Sequence, residues 1–135
     1  MMKFFSFYKK TIILIILITM VSLMNFKNIE PDKIPNIPHL DKVVHFGMYL
    51  TLTFTFMWEN YCRHQYHFIL SRFIIIIIAV VAMGVMIEWL QANFTVSRSG
   101  SVGDAMANSA GLMMGMILFR ITKTNHYIKS KIFKA

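Results

Sequence analysis

Four long apolar stretches separated by short polar segments set the pattern of this chain. They predict spans over about 11–26, 42–61, 68–92 and 103–121 within a single domain of residues 1–135. A helix needs about 20 apolar residues to cross a hydrocarbon core of about 30 Å. The first stretch is a little short, and Phe4, Phe5, Phe7 and Tyr8 extend it as an interfacial aromatic belt. The second carries Thr51, Thr53 and Thr55 and is the least apolar, as expected of a helix that faces protein over much of its surface. The third is almost pure Ile and Val from Phe73 to Val81, with Arg72 placed to snorkel from its end. The alternating short strands of a membrane barrel are absent. The expected class is all-α, an integral membrane four-helix bundle.

The connectors carry their own signals. Pro31, Pro35 and Pro38 break the 27–40 segment against a continuous helix. Asp41 then reads as the N-cap of span two. Glu59 to Gln65 reads as a short polar turn, and Thr95 to Gly103 as a loop of small residues. Ser101 and Asp104 have capping-box spacing, so a helix should start near them. The tail from Thr122 to Ala135 is basic and reads as loop-like or interfacial.

Composition agrees with a membrane protein: 56% of the residues are hydrophobic and 15% charged, against about 25% charged in soluble domains. A net charge of +8 would suggest nucleic acid in a soluble chain. Here the cations lie in tails and loops, where the positive-inside rule wants them, so no nucleic-acid partner is expected. Ten Lys and Arg fall on the side holding both tails and the 59–72 loop, and four on the other. Both termini are therefore expected in the cytoplasm, in a multi-pass protein of the cytoplasmic membrane. One cysteine, Cys62, excludes an intramolecular disulfide and a Cys-based metal cluster. Lys3, Lys9 and Lys10 before an apolar run resemble a signal sequence. The run leads into Met24-Asn25-Phe26-Lys27 without a small-residue cleavage site, so it reads as an uncleaved first span.

Against this background the polar residues near the ends of the spans stand out. They are Asp41, Lys42 and His45, then Glu88 and Gln91, then Arg98, Asp104 and Asn108. An ionisable group at the centre of a spanning helix costs roughly 2.5–3.5 kcal/mol or more. At 1.5 Å per residue, His45 and Asn108 sit about 6 Å inside their helix starts, and Glu88 about 9 Å short of Phe94. With alternating spans, all fall in one layer near one face of the membrane, the outer one by the charge count. Asp41, His45 and Tyr49 share one helical face, as do Gly84, Glu88 and Gln91, and Asp104, Asn108, Gly111 and Gly115. Ala107, Gly111 and Gly115 form a small-xxx-small ridge that lets two helices approach closely.

Duller readings exist for each residue. Asp41 and Asp104 serve equally as caps, and Lys42 and Arg98 as interfacial anchors. His45 and Asn108 would serve as interhelical glue at about 0.6 kcal/mol per bond. Glu88 is hardest to explain this way, because a carboxylate in an apolar span needs a partner. The convergence of all of them at one depth favours a site. Convergent His and Cys ligands, a nucleophile elbow and a phosphate loop are absent, so neither metal nor cofactor is expected. Lys42 and Arg98 suit an anionic headgroup. His45 with Glu88 or Asp104 would suit acid–base catalysis.

Asp41-Lys42-x-x-His45-Phe46, Glu88-x-x-Gln91, Arg98 and Asp104-x-x-x-Asn108-x-x-Gly111-x-x-x-Gly115 together resemble the VanZ-like family, over roughly Asp41 to Leu118. The family usually shows a proline shortly before the arginine; this chain has Thr95-Val96-Ser97 there. The family is named for a protein conferring low-level teicoplanin resistance. The resemblance implies a small bacterial multi-pass membrane protein of the cell envelope. Its partners would be a membrane lipid, a lipid-linked cell-wall precursor or a lipoglycopeptide antibiotic. Three functions stay open: a non-enzymatic binding site, an enzyme acting on a lipid-linked phosphate or sugar, and a structural partner of another protein.

Overall fold

A computed structural model of the chain describes residues 6–23, 39–64, 66–67, 69–94 and 102–132. Four helices make up nearly all of this: α1 (Lys9–Leu23), α2 (Leu40–Arg63), α3 (Leu70–Phe94) and α4 (Val102–Ile132). The described part is all-helical and contains no strand.

The centre of the structure is the α2–α4 pair, by far the most extensive helix contact. The sequence dictates this through its glycines. A Cβ at Gly111 would fall on the Phe46 carbonyl oxygen, and one at Gly115 would lie 2.7 Å from the Leu50 carbonyl oxygen. Only hydrogen at these positions lets the two backbones meet. The α2 face turned inward carries His45, Tyr49, Leu52, Thr53, Met57, Asn60 and Tyr61, a stripe at helical spacing. Helix α3 packs against both members of the pair through Phe73, Ile76, Val80 and Ile87, and α1 lies against α2 and α3.

Much of the outer surface is apolar as well. On α3, Ile74, Ile75, Ile78, Val81, Val85 and Met86 are exposed, and α1 shows Ile13, Ile16, Leu17 and Met20. A helix apolar on all sides suits a lipid environment or the core of a larger assembly. Among the described residues, two helices are long and apolar enough to cross a membrane: Leu70–Asn93, with a mean hydropathy of 2.7, and Val102–Asn125, with 1.3.

Three details differ from the sequence expectations. Asp41 is not the N-cap of α2; that position is His39, in left-handed backbone at φ 62°, and Asp41 falls in the first turn. Glu59 to Arg63 are not a turn but the last part of α2, which runs on because neither proline nor glycine interrupts it. The tail after Thr122 is not a loop, since α4 stays helical to Ile132. The prolines of the 27–40 connector and Ser101 of the capping box lie outside the described residues.

The continuation of α2 gives Glu59 its purpose. Its carboxylate accepts the backbone N–H groups of Lys10 and Thr11, both at 3.1 Å, and the Thr11 hydroxyl at 2.7 Å. These N–H groups are among the orphan donors of the first turn of α1, so Glu59 caps α1 from a neighbouring helix. Tyr8 adds a hydrogen bond from its hydroxyl to Asn60 Oδ1 at 3.0 Å, and Arg63 lies over the rings of Phe7 and Tyr8. Glu59→Ala should weaken the docking of α1 by about 1–2 kcal/mol, as loss of a strong N-cap does. Thermal unfolding in detergent reads this out, and an unchanged melting temperature would disprove the capping role.

Candidate functional site

The start of α2, the end of α3 and the start of α4 lie together, because successive helices alternate in direction. Their polar residues meet there. His45 Nδ1 lies 3.1 Å from Asn108 Oδ1, and Asn108 Nδ2 donates to Glu88 Oε1 at 3.4 Å. An amide oxygen only accepts, so the His45 Nδ1 carries a proton and donates it to this bond. Turning the Asn108 amide over would set its oxygen against the Glu88 carboxylate. The order is therefore His45 to Asn108 to Glu88, one bond from each helix to the next. His45 and Asn108 are 2% and 7% exposed, while Glu88 is only half-buried.

Asp104 is buried one turn before Asn108, and both Asp104 and His45 act electrostatically on Glu88. Lys42 pairs with its neighbour Asp41 at 3.1 Å, and both are partly exposed at the start of α2. Gln91 is buried and donates from its amide to the Ser22 carbonyl oxygen of α1 at 2.9 Å, so it ties α3 to the end of α1. Arg98 lies outside the described residues. Of the eight residues expected from sequence, three are hydrogen-bonded to one another, Asp104 adjoins them, Asp41 and Lys42 form a separate pair, and Gln91 serves α1. Among the described residues, no group of three or more His, Cys, Asp or Glu side chains is placed to hold a metal ion.

Beside Glu88 and Asn108 a cleft of about 250 Å³ opens between α2, α3 and α4. Tyr49, Gly84 and Ser109 line it with them, together with Val80, Val81, Val85 and Leu112. Val81, Val85, Ala105 and Ser109 are exposed, so the cleft opens sideways on the apolar surface. Tyr49 is 1% exposed, yet its hydroxyl makes no hydrogen bond within the described protein. Gly84 makes room for that phenol, since a Cβ there would stand 3.3 Å from the hydroxyl. Tyr49, Gly84 and Ser109 are the lining residues that polarity alone does not single out. Helical spacing holds the signal: Tyr49 is one turn beyond His45, and Gly84 one turn before Glu88.

A family model described as VanZ/LLP1 matches residues 2–123. No curated protein and no solved structure matches the chain.

Proposed function

This chain belongs to the VanZ-like family, and from that premise and the polar cleft we propose a cell-envelope role in the bacterial cytoplasmic membrane. The protein spans the membrane four times with both termini inside, and its cleft opens in the outer leaflet. There it binds the headgroup of a lipid or of a lipophilic ligand. By doing so it changes how lipid-linked cell-wall precursor is presented to antibiotics of the teicoplanin type.

One observation supports this reading: polar groups of three helices border a cleft that opens on the apolar outer surface and is otherwise lined by small and aliphatic residues. Such a cleft accommodates an amphiphile with its polar end at Glu88 and Asn108 and its chain along Val81 and Val85. Binding is favoured over acid–base catalysis by the position of His45. It is 2% exposed and does not line the cleft, whereas a general base must reach the proton it takes.

The test is expression of the chain in a teicoplanin-susceptible bacterium, with fluorescent lipoglycopeptide bound per cell as the readout. Expression should lower surface binding severalfold against empty vector, and Arg98→Ala at equal expression should weaken the effect. Unchanged surface binding with the wild-type chain would refute the proposal.

A further inference from the structure

The cleft is unusual in the balance of its polar atoms. Among the described residues its lining offers the Glu88 carboxylate, the Tyr49 and Ser109 hydroxyls and the Asn108 amide, and no Lys or Arg. The Asn108 Oδ1 is engaged by His45, and one Asn108 N–H is turned to Glu88. The Ser109 hydroxyl donates its proton to the Ala105 carbonyl oxygen at 2.8 Å, which leaves its lone pairs to accept. The second Asn108 N–H and the Tyr49 O–H remain as donors, and the acceptors are the second Glu88 oxygen and the Tyr49 and Ser109 lone pairs, with Glu88 the one charged group of the lining. The Tyr49 hydroxyl is the second, independent sign: it is fully buried, lines the cleft and has no hydrogen-bond partner in the described protein. A buried polar atom of this kind is costly unless something completes it.

We infer that the cleft selects an ammonium bearing N–H groups, carried on an apolar chain: the head of an aminophospholipid. This rests on the proposed lipid-binding role and names its ligand class. A primary ammonium donates three hydrogen bonds, which match the free Glu88 oxygen, the Tyr49 hydroxyl and the Ser109 hydroxyl. A quaternary ammonium keeps the charge but has no N–H to give. A headgroup with phosphate as its only charge would meet the Glu88 carboxylate and be repelled. The apolar lining from Val81, Val85 and Leu112 takes the first part of an acyl chain.

The experiment is native mass spectrometry of the full-length protein from detergent micelles containing equal amounts of phosphatidylethanolamine, phosphatidylcholine and phosphatidylglycerol. The ethanolamine lipid should be retained about tenfold over the other two, as one charge-assisted hydrogen bond can provide. Free ethanolamine added to the same sample should not displace it, which separates a lipid from a soluble amine as the source. Tyr49→Phe and Glu88→Gln should each abolish the preference. Tyr49→Phe removes a hydroxyl without a partner among the described residues and should leave the melting temperature unchanged or raised. Equal retention of all three lipids would overturn the ammonium assignment while leaving lipid binding intact. No retained lipid would overturn both. A preference that survives both substitutions would overturn the placement in this cleft.

Discussion

Gly111→Ala is expected to break the α2–α4 pair, since among the glycines described in the structure an added Cβ meets its nearest obstacle there. The added carbon falls on the Phe46 carbonyl oxygen and reaches 3.0 Å from the Leu50 nitrogen. Both are backbone atoms of a helix and cannot step aside as a side chain would. The helices must separate, and the contact at Gly115, where the limits are 2.7 Å to the Leu50 oxygen and 2.9 Å to the Thr53 Cβ, is loosened with it. Overpacking of this kind costs about 1–3 kcal/mol, and the upper end is expected where the obstacle is backbone. Gly47→Ala is the control, because a Cβ there meets nothing within 4 Å. Thermal unfolding in detergent should show Gly111→Ala strongly destabilised and Gly47→Ala unchanged or slightly improved. Equal behaviour of the two would refute the close-packed pair.

The readable part of this fold and its site follows from periodicity. Hydrophobic runs predict four helices, and the small-residue ridge of Ala107, Gly111 and Gly115 predicts where one of them packs most closely. Helical rise and alternating direction place His45, Glu88 and Asn108 at one depth, and there they meet. What periodicity misses is local competition for backbone groups. Glu59 looks like turn material because it sits among polar residues, but its carboxylate is engaged by the first turn of α1, roughly fifty positions away in sequence. Gln91 shares a face with Glu88, yet the end of α1 claims its amide. Asp41 precedes an apolar run as a cap should, but the helix begins earlier, on His39. For Glu59 and Gln91 the deciding partner comes from another part of the chain, and no window of sequence contains both.

Asn108 and Glu88 divide the work of the cluster. Asn108→Leu should be the more damaging to stability, because Asn108 alone joins His45 to Glu88 and both would be left without that partner. Stranding buried polar groups costs about 1–3 kcal/mol each. Glu88→Gln is different. The glutamine Oε1 still accepts from Asn108, and a neutral amide beside Asp104 is easier to bury than a second carboxylate. Stability should therefore hold, while the charge offered to a ligand is lost. If the polar residues only glued helices together, loss of function would follow loss of stability through the whole set.

The most direct test of a ligand site is therefore Glu88→Gln, with thermal unfolding of the purified protein measured beside fluorescent lipoglycopeptide bound to cells expressing it. A wild-type melting temperature together with loss of the surface-binding effect is the predicted result. A variant that keeps the full effect, or loses it only in proportion to its stability, would contradict the account.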